Sequence, residues 1–161
     1  MKTKLILFCG AAAMMFATCT KPVEVPKPID MAKLKIDIQK MEDDYATAEK
    51  AKDAAGVAAY YAEDAISYSR NSMPQVGKAE IRKHIQERME KDTTMNSNVY
   101  KVVDVFAEGN KVVEIGSWTK LNPAGETVKT GHYMSYFEKR DGKYVCVRDM
   151  NASSTPEEQM K

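Results

Sequence analysis

The chain has 161 residues and a formal net charge of +1, enough for one compact domain and little more. Its charged residues, 29% of the total, are interspersed in sign without a basic stripe, which argues against a phosphate-backbone binder. No nucleic-acid partner is expected.

Residues 1–18 read as an export signal rather than as part of the fold. Lys2 and Lys4 precede an apolar run, Leu5 to Phe16, that is followed by small residues. At about a dozen residues the run is too short for a transmembrane helix. The stretch FATCTK resembles a bacterial lipoprotein signal, which implies that Cys19 is lipidated and becomes the mature N-terminus. The alternative is an ordinary cleaved signal that leaves Cys19 free. Of the three cysteines, Cys9 departs with the signal and only Cys146 remains in the globular part, so no intramolecular disulfide is expected. Loss of Lys2 and Lys4 takes the charge from +1 to −1; lipid at Cys19, not charge, would hold the protein to the membrane of a bacterial cell envelope. Residues 19–29 carry Pro22, Pro26 and Pro28 and read as an extended tether.

The domain proper is expected over 30–152, with a disordered tail at 153–161. Asp30 suits a helix N-cap, and Leu34, Ile38, Met41, Tyr45 and Ala48 then recur at steps of three and four. Asp53 caps a second helix expected over 54–62, followed by a short strand in which Ile66 and Tyr68 share a face. The stretch NSMPQVG reads as a loop, and Lys78 to Lys91 as a third helix with Ile81, Ile85 and Met89 four apart. From Val99 onward the pattern is β, in four strands separated by Gly109-Asn110, by Pro123-Ala124-Gly125 and by Asp141-Gly142. Helices first and an antiparallel meander second predict an α+β fold with the helices gathered on one side of a curved sheet. In the third and fourth strands from the end, strict alternation puts Tyr100, Val102 and Phe106 on one face and Val103, Val105 and Trp118 on the other. Both faces are then mixed, as in a sheet covered on both sides, which suggests a homodimer.

The stretches DAAGVAAYYAEDAISYS, GKAEIRKHI, VVEIGSWTKL and TGHYMSYFEKRDGKYVCVRDMN, in that order and spacing, resemble SnoaL-like, ketosteroid-isomerase-like domains of the nuclear transport factor 2-like superfamily. The resemblance implies a cystatin-like cone, a bent antiparallel sheet wrapped around helices with a pocket at its wide end. It fixes no single activity, because such domains include isomerases, cyclases, dehydratases and assembly modules.

A two-residue Asp141-Gly142 turn pairs Arg140 with Lys143. Continued without interruption, that register puts Val147, Asp149 and Asn151 on one face with Tyr136, Met134 and His132. The face mixes apolar walls with a few polar groups, as a small-ligand pocket does. Asp149 is the candidate base or acceptor, or else a solvated partner of Arg148. His132 is a candidate relay, or an exposed strand-end histidine. Tyr68, Trp118 and Tyr133 are candidate ligand contacts, with Tyr136 and Met134 beside them, or else simple packing residues. Methionines 73, 89, 95, 134 and 150 suit either an adaptable cavity or a core. Glycine-rich phosphate loops and paired His/Cys spacings do not occur, so no cofactor or metal is expected. Three functions follow: a binder of a small, largely apolar molecule, a proton-transfer enzyme using Asp149 and His132, or a dimeric envelope interaction module.

Overall fold

A computed structural model describes residues 28–154. The signal, Cys19 and most of the tether lie outside the described residues, as does the tail beyond Ser154.

The first helix, α1 (Met31–Lys50), starts where Asp30 accepts from Lys33 N at 3.0 Å and buries the stripe Leu34, Ile38 and Glu42. Ile29, expected in the tether, packs against the core. The second helix, α2 (Ala54–Ala58), is capped by Asp53 and stops short of the expected 62, because the chain is captured there by a sheet: Cys146 N donates to Tyr60 O at 2.9 Å. Strand β1 (Tyr61–Tyr68) follows. Inside the stretch expected to be a loop, β2 (Gln75–Val76) pairs with Ile66 and Ser67. The third helix, α3 (Lys78–Lys91), spans the expected residues and buries Ile81, Ile85 and Met89.

Four long strands complete the fold: β3 (Ser97–Glu108), β4 (Lys111–Leu121), β5 (Thr127–Arg140) and β6 (Lys143–Ser153). The sheet order is β2-β1-β6-β5-β4-β3. All neighbours are antiparallel except β1 and β6. The turn residues take the positive φ their types require, 58° at Gly109, 50° at Asp141 and 80° at Gly142. β6 extends one residue into the expected tail, where Ser153 pairs with Gly131. The open edge of β3 is covered by α1: Gln39 accepts from Val102 N at 2.9 Å and donates to Tyr100 O at 3.0 Å, which blunts an otherwise unpaired strand. The sheet and helices close on a core that includes Ile38, Val57, Ile81, Val112, Phe137 and Cys146. Phe137 is fully buried, a contribution of roughly 1.5–3 kcal/mol. Of the five methionines singled out, only Met89 is buried; Met73 and Met95 are over 80% exposed.

Two β-bulges overturn the face assignments made by strict alternation. In the last hairpin Phe137 pairs with Cys146 but Tyr136 pairs with Arg148, so Val147 is an extra residue. Cys146 and Val147 are consequently both buried, and every later side chain of β6 changes face. Asp149 therefore pairs with Ser135, not Met134. In β3 the register shifts between Val102 and Asp104, which buries Val102 and Val105 together and exposes Val103 and Phe106. Trp118 pairs with Tyr100 and lies on the inner face with it, contrary to the alternating assignment.

Candidate functional site

The inner face of the sheet lines a half-open cavity of about 350 Å³. Its floor is made by β4 and β5. Tyr133 pairs with Gly116 and Trp118 with Gly131. A β-carbon at Gly116 would overlap the Tyr133 ring, and one at Gly131 would overlap the Trp118 ring. Each glycine therefore lets its partner's ring lie across the neighbouring strand. The two rings on these adjacent strands give the cavity flat, apolar walls.

From Tyr133 a run of rings continues round the cavity. Tyr100 meets Tyr133 with centroids 5.9 Å apart, Tyr45 meets Tyr100 at 5.4 Å, Tyr60 meets Tyr45 at 5.2 Å and Tyr61 meets Tyr60 at 5.1 Å, all edge to face. Such contacts are worth about 0.5–1.5 kcal/mol each beyond burial, so the wall is rigid. Four of the hydroxyls donate to carboxylates: Tyr60 to Glu42 Oε1 (2.6 Å), Tyr133 to Glu114 Oε1 (2.6 Å), Tyr100 to Glu49 Oε2 (2.9 Å) and Tyr61 to Asp149 Oδ2 (2.8 Å).

Glu42 and Glu114 are buried side by side behind the tyrosines, 3% and 0% exposed. Burial pushes both carboxyls up, and for Glu42 the neighbouring Glu114 charge adds to the push. Two anions cannot share so dry a site, so the pair retains a proton at neutral pH. Glu114 Oε2 is buried without a donor and is the atom that a proton on Glu42 would satisfy.

Asp149 is held differently. Tyr61 and Ser67 donate to it, its carboxyl is raised above the usual range by burial, and those two hydrogen bonds oppose the rise. Its Oδ1 is buried and has no donor, at a residue that lines the cavity. Lys120 and Lys129, direct cross-strand partners one step from the end of the β4–β5 ladder, line the cavity there. Arg88 from α3 is paired with Glu49 at 2.9 Å.

Of the residues expected at a site, the structure brings Asp149, Trp118 and Tyr133 to the cavity. It does not bring the others. His132 and Met134 point to the outer face and are exposed. Tyr136 donates to Glu138 at 3.1 Å on that same outer face, and Tyr68 is 44% exposed, away from the cavity. The cause for the β5 residues is the bulge at Val147, which moves Asp149 off their face. Arg148 is exposed and reaches Asp64 O at 3.3 Å rather than Asp149.

Sequence reasoning misses the tyrosine wall and the Glu42–Glu114 pair. One signal was present: Glu42 continues the Leu34, Ile38 stripe at a step of four, and a carboxylate in a buried stripe demands a partner. Glu114, between Val112 and Gly116 on the buried parity of its strand, answers that demand. No such signal marks the bulge.

The sequence profile of the SnoaL-like domain family matches residues 43–147. Among solved structures, the chain is similar to a protein of unknown function with a cystatin-like fold from Nostoc punctiforme (TM-score 0.68, 13% identity, 76% of this chain and 92% of that one). It is similar to a nuclear transport factor 2-like protein with a cystatin-like fold from Novosphingobium aromaticivorans (0.65, 16%, 76% and 86%). A ketosteroid isomerase-like protein from Erwinia carotovora atroseptica also superposes (0.62, 18%, 76% and 97%). At these identities the likeness is one of fold. No curated protein sequence matches the chain.

Proposed function

Because the chain belongs to the SnoaL-like domain family, we propose that it is a binding protein that encloses a small, largely apolar, planar molecule in its cavity. The observation that carries this reading is Asp149 Oδ1, a buried acceptor without a donor on a wall of aromatic rings. A desolvated acceptor left unpaired costs about 1–3 kcal/mol, and a ligand N–H or O–H would recover it. Fluorescence titration with N-phenyl-1-naphthylamine, a neutral planar amine with one N–H, tests the reading. Saturable one-to-one binding that weakens in Asp149→Leu supports it, and absence of saturable binding up to the probe's solubility defeats it.

A proton-transfer reaction is the second reading, favoured by the raised carboxyl of Asp149, which suits a general base. His84 of α3 also lines the cavity, but the hydrogen bonds to Asp149 come from Tyr61 and Ser67 and not from it. His132 faces outward and supplies no relay. Tyr61 and Tyr133 spend their hydroxyl protons on Asp149 and Glu114, so neither is a ready oxyanion donor. Binding without chemistry fits the donor inventory better.

Export and lipidation at Cys19 belong to the same proposal, supported by Lys2, Lys4, the apolar run and Cys19 itself. No helix among the described residues is long and apolar enough to cross a membrane. Intact mass of the membrane-extracted protein tests the anchor: an unmodified Cys19, or a start elsewhere, removes it. A homodimer through the outer sheet face is supported by Val99, Val103, Phe106 and Met134, each 44–55% exposed there, and sedimentation equilibrium tests it.

A further inference from the structure

Lys120 and Lys129 are directly opposite each other on β4 and β5, one step from the end of that ladder, and both line the cavity there, at its rim. Like charges so placed are destabilising. Solvent does not fully relieve them, since the Lys120 side chain is only 29% exposed. One carboxylate lies near, Asp92 Oδ2, 3.7 Å from Lys120 Nζ; that is a loose pair and leaves the second cation uncompensated by it. The next inward residue on the same face of β4 is Trp118, whose ring lies over Gly131. An apolar platform therefore leads directly to two ammonium groups.

The other end of the cavity holds its unfilled acceptor. Asp149 pairs with Ser135, and Ser135 is six residues from Lys129 along β5, up to about 20 Å at the usual rise of a strand. Glu49, the other carboxylate on the wall, is neutralised by Arg88. The cavity thus has an acceptor without a donor at the Asp149 end, where His84 and Arg88 also line it, and a pair of directly opposed cations at the other.

We propose that the molecule held in the cavity is an organic acid: its planar apolar body lies against Trp118 and the tyrosines, and its anionic group is held at the rim by Lys120 and Lys129. The assignment rests on the ligand-binding reading above and adds the class and orientation of the ligand. Charge-assisted hydrogen bonds from the two ammonium groups replace their mutual repulsion, while any donor on the body of the molecule faces Asp149 Oδ1.

Two fluorescent probes that differ by one sulfonate test this separately from the binding reading. The purified chain is titrated with 6-anilinonaphthalene-2-sulfonate, whose sulfonate and N–H lie at opposite ends of the naphthalene, and with N-phenyl-2-naphthylamine, its neutral counterpart. The sulfonate is expected to bind about tenfold more tightly at low salt, and raising the salt from about 20 to about 200 mM should remove most of that advantage, because rim charges are screened. In Lys120→Met/Lys129→Met the ratio of the two affinities should fall to about one. Equal affinities in the unaltered chain, or a preference that survives both salt and the double substitution, would overturn the acid assignment and leave the binding reading standing. If neither probe binds, both readings fall together.

Discussion

The ring of Tyr133 lies across Gly116 on the neighbouring strand, and a β-carbon at Gly116 would overlap it. The same ring carries the hydroxyl that donates to Glu114, so one missing side chain sets both the shape of the floor and the geometry of the buried acid pair. Gly116→Ala should displace the ring, loosen the Glu114 contact and destabilise the domain by about 1–3 kcal/mol, the usual cost of overpacking. Chemical denaturation measures it. Tyr133→Leu removes the donor to Glu114 and is costly by itself, but in that background Gly116→Ala should cost less than in the parent, because the ring it displaces is gone. An unchanged denaturation midpoint for Gly116→Ala alone would contradict the close approach.

The Glu42–Glu114 pair gives stability an unusual pH dependence. Both folded-state carboxyls are raised above 4.5 by burial, so above that pH the folded protein holds protons that the unfolded chain has released. Stability then falls as pH rises, by about 1.4 kcal/mol per pH unit for each proton retained, and this stabilisation is fully present only below the unfolded value. Asp149, also raised by burial, adds in the same direction. The domain should therefore melt higher near pH 5 than near pH 8. Glu42→Gln should flatten that slope by the share of one group, as read from melting temperatures across the range. A rise in stability toward pH 8 would rule out the shared proton.

Much of this arrangement follows from local signals. Asp30, Asp53 and the steps of four in α1 and α3 place the helices, and Gly109, Asp141 and Gly142 fix the turns, because each of these residues acts within a few positions of itself. The faces of the strands are another matter. One extra residue at Val147 reverses everything after it, and neither Cys146 nor Val147 differs in type from a residue of an unbroken strand. The tyrosine wall was hidden for a different reason. Tyr45 comes from α1, Tyr60 and Tyr61 from the entry to β1, Tyr100 from β3 and Tyr133 from β5, so only the closed cone gathers them.

Asp149 serves two partners at once, the Tyr61 hydroxyl at 2.8 Å and the cavity, and substitutions should separate these roles. Asp149→Leu removes the acceptor for buried Tyr61 and Ser67, each an unsatisfied group worth about 1–3 kcal/mol. Asp149→Asn retains an oxygen for Tyr61 and abolishes the desolvated charge, so its stability should lie within about 1 kcal/mol of the parent. The amide turns its NH2 toward the cavity when its oxygen faces Tyr61, and the affinity for N-phenyl-1-naphthylamine should drop in both variants. Denaturation and fluorescence titration on the same samples read the two effects independently. Full affinity in Asp149→Asn would mean that the probe does not use Oδ1.

The bulge at Val147 is testable without any ligand. With it, Arg148 and Met150 face outward, the latter 55% exposed, while Asp149 pairs with buried Ser135 on the inner face. An uninterrupted hairpin gives the reverse parity, with positions 148 and 150 on the inner face opposite Ser135 and Tyr133 and position 149 on the outside beside Met134. Single cysteines at 148, 149 and 150, in a chain carrying Cys9→Ser and Cys19→Ser, distinguish the two by their rates of reaction with a polar thiol reagent. Cys146 is fully buried and contributes little background. Arg148→Cys and Met150→Cys should react at least about tenfold faster than Asp149→Cys, because a thiol in a dry pocket is both shielded and held protonated. The opposite order would remove the bulge, and with it the placement of Asp149 in the cavity on which the binding reading depends.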